Sequence, residues 1–385
     1  MDSSRKKLYV VIAFVLLLIG IIALVWYLNQ RSGGELIGGE LPNSDPRQET
    51  PGTDLTPEGT IITEGEEASR EIAKNVISGM CAPNSKTVRY IERASGLVYE
   101  RPLTGGVAIA LSDTRLDNAY VVDWANNGSA ALVTFSTQNN TPDFAHISFT
   151  SSSSQVTRLP ETTAFAAVSP DGLRVAFAKQ TDDGSVIATA LPNGTKPTTL
   201  ASHPQSQLLL SWDVVARPIV RNPGSAFVES LAWVLSGGSY TPLTPASYQL
   251  SILEHSSGRY VLYSAAETIS DMPTLYLLDT KATSTKDRIT IAPFTTYPEK
   301  CVWARTDTSI IYCGVPSSIT KQIYDAWLRG EHHFEDRITR WNFRTGEVRI
   351  VSEGNYDAIE LAVAPDDSAL LFVNKNDSSL WSLVL

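Results

Sequence analysis

The sequence is poor in the residues that build metal centres and disulfide scaffolds. Only 3 of its 385 residues are Cys and only 5 are His. Three thiols exclude a disulfide-rich scaffold and any four-thiolate zinc site. The chain carries 41 acidic and 31 basic residues, which gives a net charge of −10. Because nucleic acids and anionic membrane surfaces attract basic proteins, this balance argues against either as the main electrostatic partner.

The sequence also lacks the short motifs of the common enzyme classes. It contains no G-x-S-x-G nucleophile elbow, no Walker or G-x-G-x-x-G phosphate loop, and no H-E-x-x-H zinc pair. No cofactor is therefore expected. Acid–base catalysis by carboxylates from separate parts of the chain stays open, because it needs no local motif.

The first part of the chain contains one long apolar run. Residues 8–28 read LYVVIAFVLLLIGIIALVWYL and carry no charge. About 20 apolar residues cross a hydrocarbon core of roughly 30 Å, so this run predicts a transmembrane helix. Arg5, Lys6 and Lys7 precede it, and the positive-inside rule makes residues 1–7 a cytoplasmic tail and places the rest outside. A cleaved signal peptide is the alternative, although its apolar region is normally about 7–15 residues long.

Residues 29–67 predict a flexible linker between this helix and a folded domain. They are rich in Gly, Pro, Thr and acidic residues, and they show no hydrophobic period. Such a segment buries too little apolar surface to offset its ordering entropy. As a coil it spans roughly 35 Å, which holds the domain at 68–385 away from the bilayer.

One short pattern recurs throughout that domain. Its clearest copy, at 165–190, has an apolar strand, an SPDG turn at 169–172 and a second, alternating strand. Pro presets φ for such a turn, Asp hydrogen-bonds its own backbone, and Gly supplies positive φ. Equivalent turns are centred on seven positions, namely Asn84, Asn127, Asp171, Val214, Ser257, Thr306 and Asp366. Their spacings are 43, 44, 43, 43, 49 and 60 residues. A period of about 40–45 residues with four short strands is typical of β-propeller blades.

Seven copies predict an all-β fold, a seven-bladed β-propeller. Six or eight blades, or an open β-sandwich, are the alternatives. The last copy has only three strands before Leu385, so its blade lacks an outer strand. Ser69–Ala73 precede the first turn at about the distance of an outer strand. We therefore predict that this segment completes the last blade and closes the ring, which removes a free sheet edge.

The SPDGLRVAF sequence of the clearest copy resembles the WD40-like (PD40) repeat of TolB-type propellers of bacterial envelopes. The resemblance covers about residues 69–385, and it implies the propeller fold and an extracytoplasmic location. The segments VRYIERASGLVYE and KCVWA…IIYCGVP also resemble membrane-anchored bacterial propellers. Because propellers host many unrelated activities, the resemblance implies no particular chemistry.

Two of the three cysteines flank the sixth hairpin. Cys301 and Cys313 each lie six residues from Asp307, so they face each other if the turn is centred there. Such a pair of opposed cysteines on antiparallel strands predicts a disulfide in an oxidising compartment. Two buried free thiols are the alternative. Cys81 is left unpaired and is expected to be buried in an inner strand.

The sixth unit carries an insertion between its second and third strands, at 315–336. Ile319, Ile323 and Trp327 recur at helical spacing, which predicts an amphipathic helix over 318–329. Loops of this type lie on the propeller face that tends to carry binding sites. The candidate binding surface is therefore a set of exposed or half-exposed side chains, namely Tyr324, Trp327, His332 and His333. The alternative is a loop that caps the channel, with Trp327 as its hydrophobic plug.

A metal site in the insertion is not expected. His332 and His333 are adjacent to Glu335 and Asp336, but neighbouring residues of a strand point to opposite faces. The metal-ligand spacings of known motifs are absent.

The sequence therefore favours a non-catalytic binding or scaffold module of the bacterial envelope, on the outer side of the cell membrane. Its partner is expected to be another envelope protein or a cell-wall or glycan ligand. The alternative from another class is an enzyme that processes extracellular glycans or peptides in the propeller channel. A purely structural envelope component is a third possibility. An enzyme should show titratable side chains with perturbed pKa values that converge in the channel, and a binding module should show an exposed aromatic patch on one face.

Overall fold

The computed structural model describes residues 61–63, 69–150, 153–214, 217–284 and 288–385. The predicted cytoplasmic tail, the predicted transmembrane helix at 8–28 and most of the predicted linker lie outside these residues. Within the described ranges, no helix is long and apolar enough to span a bilayer. Residues Glu58–Leu385 form one compact unit.

The described chain forms seven sheets of mainly antiparallel strands, each with four strands or more. These sheets are the blades of a propeller, which confirms the predicted seven-bladed fold. Two strands precede the first blade, β1 (Ile61–Thr63) and β2 (Ser69–Ala73). The strands of blade 1 are β3 (Val76–Cys81), β4 (Thr87–Glu92), β5 (Val98–Pro102) and β6 (Ile109–Ala110). Those of blade 2 are β7 (Ala119–Trp124), β8 (Ala130–Ser136), β9 (Pro142–Phe149) and β10 (Ser154–Arg158).

The strands of blade 3 are β11 (Thr163–Val168), β12 (Val175–Thr181), β13 (Gly184–Ala190) and β14 (Thr198–His203). Those of blade 4 are β15 (Leu209–Val214), β16 (Arg217–Arg221), β17 (Ala232–Ser236) and β18 (Ser239–Pro242). Those of blade 5 are β19 (Tyr248–Glu254), β20 (Tyr260–Ala266), β21 (Thr274–Asp279) and β22 (Ile289–Ile291).

The strands of blade 6 are β23 (Cys301–Trp303), β24 (Ile310–Pro316), β25 (Asp336–Asn342) and β26 (Glu347–Tyr356). Those of blade 7 are β27 (Ala358–Val363), β28 (Ala369–Asn374) and β29 (Ser379–Val384), with β2 as the fourth strand. A 3₁₀ helix at Pro298–Lys300 directly precedes the first strand of blade 6. The insertion of blade 6 contains a short α-helix, α1 (Tyr324–Leu328).

The ring is closed by the strand that the sequence predicts. Strand β2 pairs antiparallel with β29, with Ser69 opposite Leu383. Its Ile72 is buried in the apolar cluster that joins blade 7 to blade 1. The same type of cluster lies between other neighbouring blades, because each sheet buries one face against the next. The closure predicted for Ser69–Ala73 is therefore confirmed.

A further strand of the predicted linker joins blade 6. Strand β1 pairs in parallel with the outer strand β26, with Ile61 opposite Val348 and Thr63 opposite Ile350. The N-terminal segment thus contacts two neighbouring blades, since β1 extends blade 6 and β2 completes blade 7.

The recurring turn follows the chemistry that the sequence predicts. In the clearest copy, the carboxylate of Asp171 accepts hydrogen bonds from the hydroxyl of Ser169 at 2.6 Å and from the backbone N–H of Leu173 at 3.0 Å. Gly172 has a φ of 75°, and a Cβ there would lie 2.8 Å from the Cβ of Ala130 in the neighbouring blade. Only glycine therefore allows both the turn and the close approach of blade 2.

The propeller has two faces, which are named here by their loops. The turn face carries the turns between the first and second strands of the blades, such as residues 169–172. The insertion face carries the loops between the second and third strands, including residues 317–335 of blade 6. In blade 6, Cys301 lies directly opposite Cys313, and their Sγ atoms are bonded at 2.13 Å. Cys81 is buried and unbonded, and burial raises the pKa of its thiol to about 12.

Candidate functional site

The insertion of blade 6 is a mostly irregular loop with one short helix. The predicted helix over 318–329 is wrong in length, because α1 covers only Tyr324–Leu328. Gln322 has a φ of 60°, which interrupts a right-handed helix immediately before α1. The apolar residues at helical spacing instead belong to a small core beneath the insertion, which comprises Ala226, Tyr297, Ile319, Tyr324, Trp327 and Phe334.

The predicted exposure of Tyr324 and Trp327 is also wrong. Their exposed fractions are 1% and 2%. Both rings pack on Tyr297, and the ring of Trp327 stacks on it with centroids 5.6 Å apart. The hydroxyl of Tyr324 donates to Glu299 Oε1 at 2.6 Å. The two aromatic side chains are therefore core residues that hold the insertion on the ring, and they offer no contact surface.

The two predicted histidines lie at the edge of this core. His332 is half-buried, and its ring meets the edge of Phe334 with centroids 4.9 Å apart. His333 is exposed, and its Nδ1 lies 3.6 Å from Asp357 Oδ2. Of the four predicted surface residues, only His333 is freely accessible.

A buried charge network fixes the insertion to blades 6 and 7. Lys300 is fully buried, and its Nζ lies 2.7 Å from Asp336 Oδ2 and 2.5 Å from Asp357 Oδ1. The indole N–H of Trp327 donates to both oxygens of Asp357 at 3.1 Å. Burial raises the pKa of Asp336 to about 6, although the charge of Lys300 opposes this. Because buried charges are tolerated only when they are paired, these groups depend on one another.

The insertion also holds the loops of two neighbouring blades. The carboxylate of Asp325 accepts hydrogen bonds from the hydroxyl of Ser225 and the N–H of Ala226, both at 2.9 Å, in the loop of blade 4. Gln322 Nε2 donates to the carbonyl of Ile269 at 3.1 Å in the loop of blade 5. Loops of three consecutive blades are thus linked by hydrogen bonds on the insertion face.

These three linked loops present a set of exposed apolar side chains. Their exposed fractions lie between 38% and 63%. The set, called the apolar patch below, comprises Phe227, Val228, Ile269, Met272 and Leu328. The loops of blades 4 and 5 also expose Glu229, Glu267 and Asp271. No sequence pattern predicts this patch, because its members come from three separate loops of ordinary composition.

The central channel contains a second group of polar side chains. A cavity of about 170 Å³ lies at the turn face of the channel, and residues from six of the seven blades line it. Its polar lining includes Asn126, Asp213, Glu254, His255 and Arg305. An adjoining cavity of about 230 Å³ shares several lining residues with it and is bordered by two further carboxylates, Asp123 and Glu360.

The channel carboxylates have raised pKa values, as expected where protein packs around charged groups. Burial raises the pKa of Asp123 to about 7, and the charges of Asp213 and Glu360 add to this effect. Burial raises the pKa of Asp213 to about 6, although the charge of Arg305 opposes this shift. Burial likewise raises the pKa of Glu254 to about 7, although the charge of Arg217 opposes it. Within the described residues, no group of three or more His, Cys, Asp or Glu side chains is arranged to hold a metal ion.

Similarity to solved structures identifies the fold. No protein family and no curated protein matches the chain. The oligogalacturonate lyase of Vibrio parahaemolyticus has a TM-score of 0.55 and 9% identity, with 85% of this chain and 98% of that chain covered. The propeller domain of Cps50 (Swd1) from Myceliophteria thermophila has a TM-score of 0.53 and 10% identity, with coverage of 83% and 100%. The chain is a seven-bladed β-propeller.

The neighbours extend from enzymes to TolB. TolB from Acinetobacter baumannii is also among the similar structures, with a TM-score of 0.43, 9% identity and coverage of 82% of this chain and 65% of that chain. At identities near 10%, the similarity shows the fold and nothing about the activity. The function of this propeller must therefore be argued from its own surfaces.

Proposed function

We propose that the protein is a membrane-anchored, extracytoplasmic propeller that binds another envelope protein through the apolar patch on its insertion face. The observation that supports this proposal is the linking of three loops by the insertion. Asp325 and Gln322 tie the loops of blades 4 and 5 to blade 6, and the five apolar side chains of the patch lie on these loops. Rigid loops lose little conformational entropy on binding, so the exposed apolar area is available to stabilise a complex.

The composition of the patch favours a protein partner over a glycan. Four of its five side chains are aliphatic or thioether groups, and Phe227 is its only aromatic member. Aliphatic and Met side chains bind other apolar side chains, and Met adapts to irregular surfaces. The adjacent Glu229, Glu267 and Asp271 would repel an anionic lipid surface. We expect the partner to present apolar side chains, with basic residues beside them.

The anchor in this proposal rests on the sequence. The apolar run at 8–28 and the three basic residues before it support a single span with a cytoplasmic N-terminus. Strand β1 runs parallel to β26, so its Ile61 end lies beside Glu347, near the turn face. Ile61 thus lies near the face opposite to the apolar patch.

The proposal is tested by matched substitutions in the full-length chain. We expect Phe227→Ser combined with Met272→Ser to weaken capture of a partner at least about 30-fold, since buried apolar anchors carry most of the energy of an interface. Leu173→Ser is the control, because Leu173 is also apolar and exposed but lies on the turn face. Affinity of the purified, solubilised proteins for the captured partner is the measurement. Equal affinity for the double variant and the control would refute the proposal.

An enzyme with its site in the channel is the second candidate. The observation in its favour is the convergence of Asp123, Asp213, Glu254 and Glu360, with pKa values between about 6 and 7 where a value is assigned. Carboxyls with pKa values near neutrality suit general acid–base catalysis. Release of reducing ends or free amines from cell-wall glycans and peptides tests this candidate. Turnover that is lost in Glu254→Gln, with the apolar patch intact, would establish it.

A further inference from the structure

Arg305 lies in the wall of the turn-face cavity, and within the described residues its side chain has no hydrogen-bond partner. Its backbone N–H is fixed, because it donates to Asp367 Oδ1 at 2.7 Å. The half-buried guanidinium, in contrast, makes no hydrogen bond or ion pair with any residue that the structure describes. Burial lowers the pKa of Arg305, and the charges of Asp367 and Asp213 oppose this shift only in part.

Two other arginines in the interior of the propeller form ion pairs with carboxylates. Arg89 Nε donates to Glu100 Oε2 at 2.8 Å, and its Nη1 donates to the carbonyl of Gly128 at 3.0 Å. Arg217 pairs with Glu254 Oε1 at 2.5 Å. A guanidinium offers five donors in a rigid fork that fits a carboxylate, and leaving them unpaired in a protein environment is costly. Arg305 differs from these two arginines because no carboxylate of the described residues is hydrogen-bonded to its guanidinium, which leaves the donors available to an anionic group in the cavity.

The same cavity also contains acceptors without partners. The carboxylate of Asp213 accepts no hydrogen bond from the described part of the chain, while its carbonyl accepts one from Asn126 Nδ2 at 3.1 Å. Glu254 is buried, and its Oε2 has no partner among the described residues. The indole N–H of Trp303, another lining residue, is likewise buried without a partner there. The wall thus combines unpaired donors with unpaired carboxylate oxygens.

Charge and size restrict what this cavity can hold. A phosphate or another dianion would meet the carboxylates of Asp213 and Glu254, and a simple cation would meet the guanidinium of Arg305. A molecule with one charge of each sign satisfies both groups. The volume of about 170 Å³ is close to that of a cavity of about 150 Å³ that holds benzene, which restricts the ligand to the size of a single amino acid.

We propose that the turn-face cavity binds a small zwitterion of amino-acid size, whose carboxylate pairs with Arg305 and whose ammonium group pairs with Asp213. This site is separate from the apolar patch, because it lies at the opposite end of the channel. It gives the propeller a small-molecule ligand in addition to its protein partner. The binding of that ligand does not depend on the proposed function.

Calorimetric titration of the full-length, solubilised chain with free amino acids tests this site. The best-bound amino acid is then compared with its analogue without the amino group and with its analogue without the carboxylate. We expect only the complete zwitterion to bind well. Arg305→Gln should weaken its binding about 100-fold, since a charge-assisted, bidentate pair is lost. In Asp213→Asn, the preference for the amino acid over its des-amino analogue should largely disappear.

Controls separate loss of the site from loss of the fold. Arg115→Gln removes an exposed arginine on the insertion face and should bind as the unaltered chain does. Arg305→Lys keeps the positive charge but lacks the planar guanidinium with its paired donors. This variant should bind the amino acid more weakly than the unaltered chain does, but more tightly than Arg305→Gln. The double patch variant Phe227→Ser and Met272→Ser should retain full binding. Absence of binding by every amino acid, or equal binding by Arg305→Gln with an unchanged melting temperature, would overturn the proposal.

Discussion

At the scale of single residues, the position of Lys300 explains why the insertion is rigid. Its ammonium group is fully buried between Asp336 and Asp357, and it lies 5.0 Å from the ring centroid of Trp327. Asp336 begins the third strand of blade 6, and Asp357 directly precedes the first strand of blade 7, so one side chain joins blades 6 and 7 to the insertion. Such a group stabilises a single arrangement of loops, because every alternative leaves a buried charge unpaired.

Replacement of Lys300 by Ala should therefore destabilise the propeller strongly. The substitution leaves Asp336 and Asp357 buried without their cation, and breaking a buried pair in this way costs about 3–5 kcal/mol. Denaturant unfolding of the full-length chain measures the loss. Lys321→Ala is the control, because Lys321 is exposed in the same insertion and should change stability by less than about 0.5 kcal/mol. Equal stability of the two variants would show that the network contributes nothing.

At the scale of strands and loops, the sequence predicts those elements that are determined by residues close together in the chain. The turn residues of the repeat, such as Asp171 and Gly172, predict the blade hairpins because they stabilise the turn through their own backbone. The closing strand Ser69–Ala73 is predictable because its blade lacks one strand. The burial of Trp327 is not predictable, because it depends on Tyr297 and Asp357, which lie thirty positions away on other elements.

The channel site escapes a motif search for the same reason. Asp123, Asp213, Glu254, Arg305 and Glu360 come from five different blades, so no fixed spacing connects them. A signal was nevertheless present in the repeats. The four carboxylates each belong to the first strand of a blade, and an alignment of the repeats would have shown acidic residues recurring on the strands that line the channel.

The closing strand leads to a prediction about truncated chains. A fragment that starts at Asn75 lacks β2, and it should be clearly less stable than a fragment that starts at Gly65. Loss of the buried Ile72 alone costs about 1.5–3 kcal/mol, and the outer edge of β29 loses its hydrogen-bonded partner. Thermal melting of the two fragments makes the comparison. Equal melting temperatures would contradict the role of β2 in closing the ring.

At the scale of the whole molecule, the buried carboxyls predict an unusual dependence of stability on pH. Asp123, Asp213, Glu254 and Asp336 have folded-state pKa values of about 6 to 7, above the value near 4 expected in the unfolded chain. The folded state therefore holds protons that the unfolded state has released. The stability that these protons contribute is complete below about pH 4 and is lost as the pH rises through about 6 and 7.

Buried histidines oppose this loss of stability at higher pH only in part. Burial lowers the pKa of three histidines, His146, His203 and His255, whose contribution is present above about pH 6.5 and lost as the pH falls. The carboxyl shifts are larger, so we expect the melting temperature to fall between about pH 5 and pH 8. Melting curves across this range test the expectation, and the combination of Asp123→Asn and Glu254→Gln should flatten the slope. A melting temperature that rises towards pH 8 would contradict it.

The role of the intact protein is tested most directly by photo-crosslinking in living cells. A photoreactive amino acid at Val228, in the apolar patch, is compared with one at Leu173, which is exposed to a similar extent on the turn face. We predict one discrete crosslinked envelope protein from position 228, absent from position 173 and lost when Phe227 and Met272 are replaced by Ser. Crosslinks that are equal from both positions, or that survive the double substitution, would contradict a partner-binding role for the insertion face.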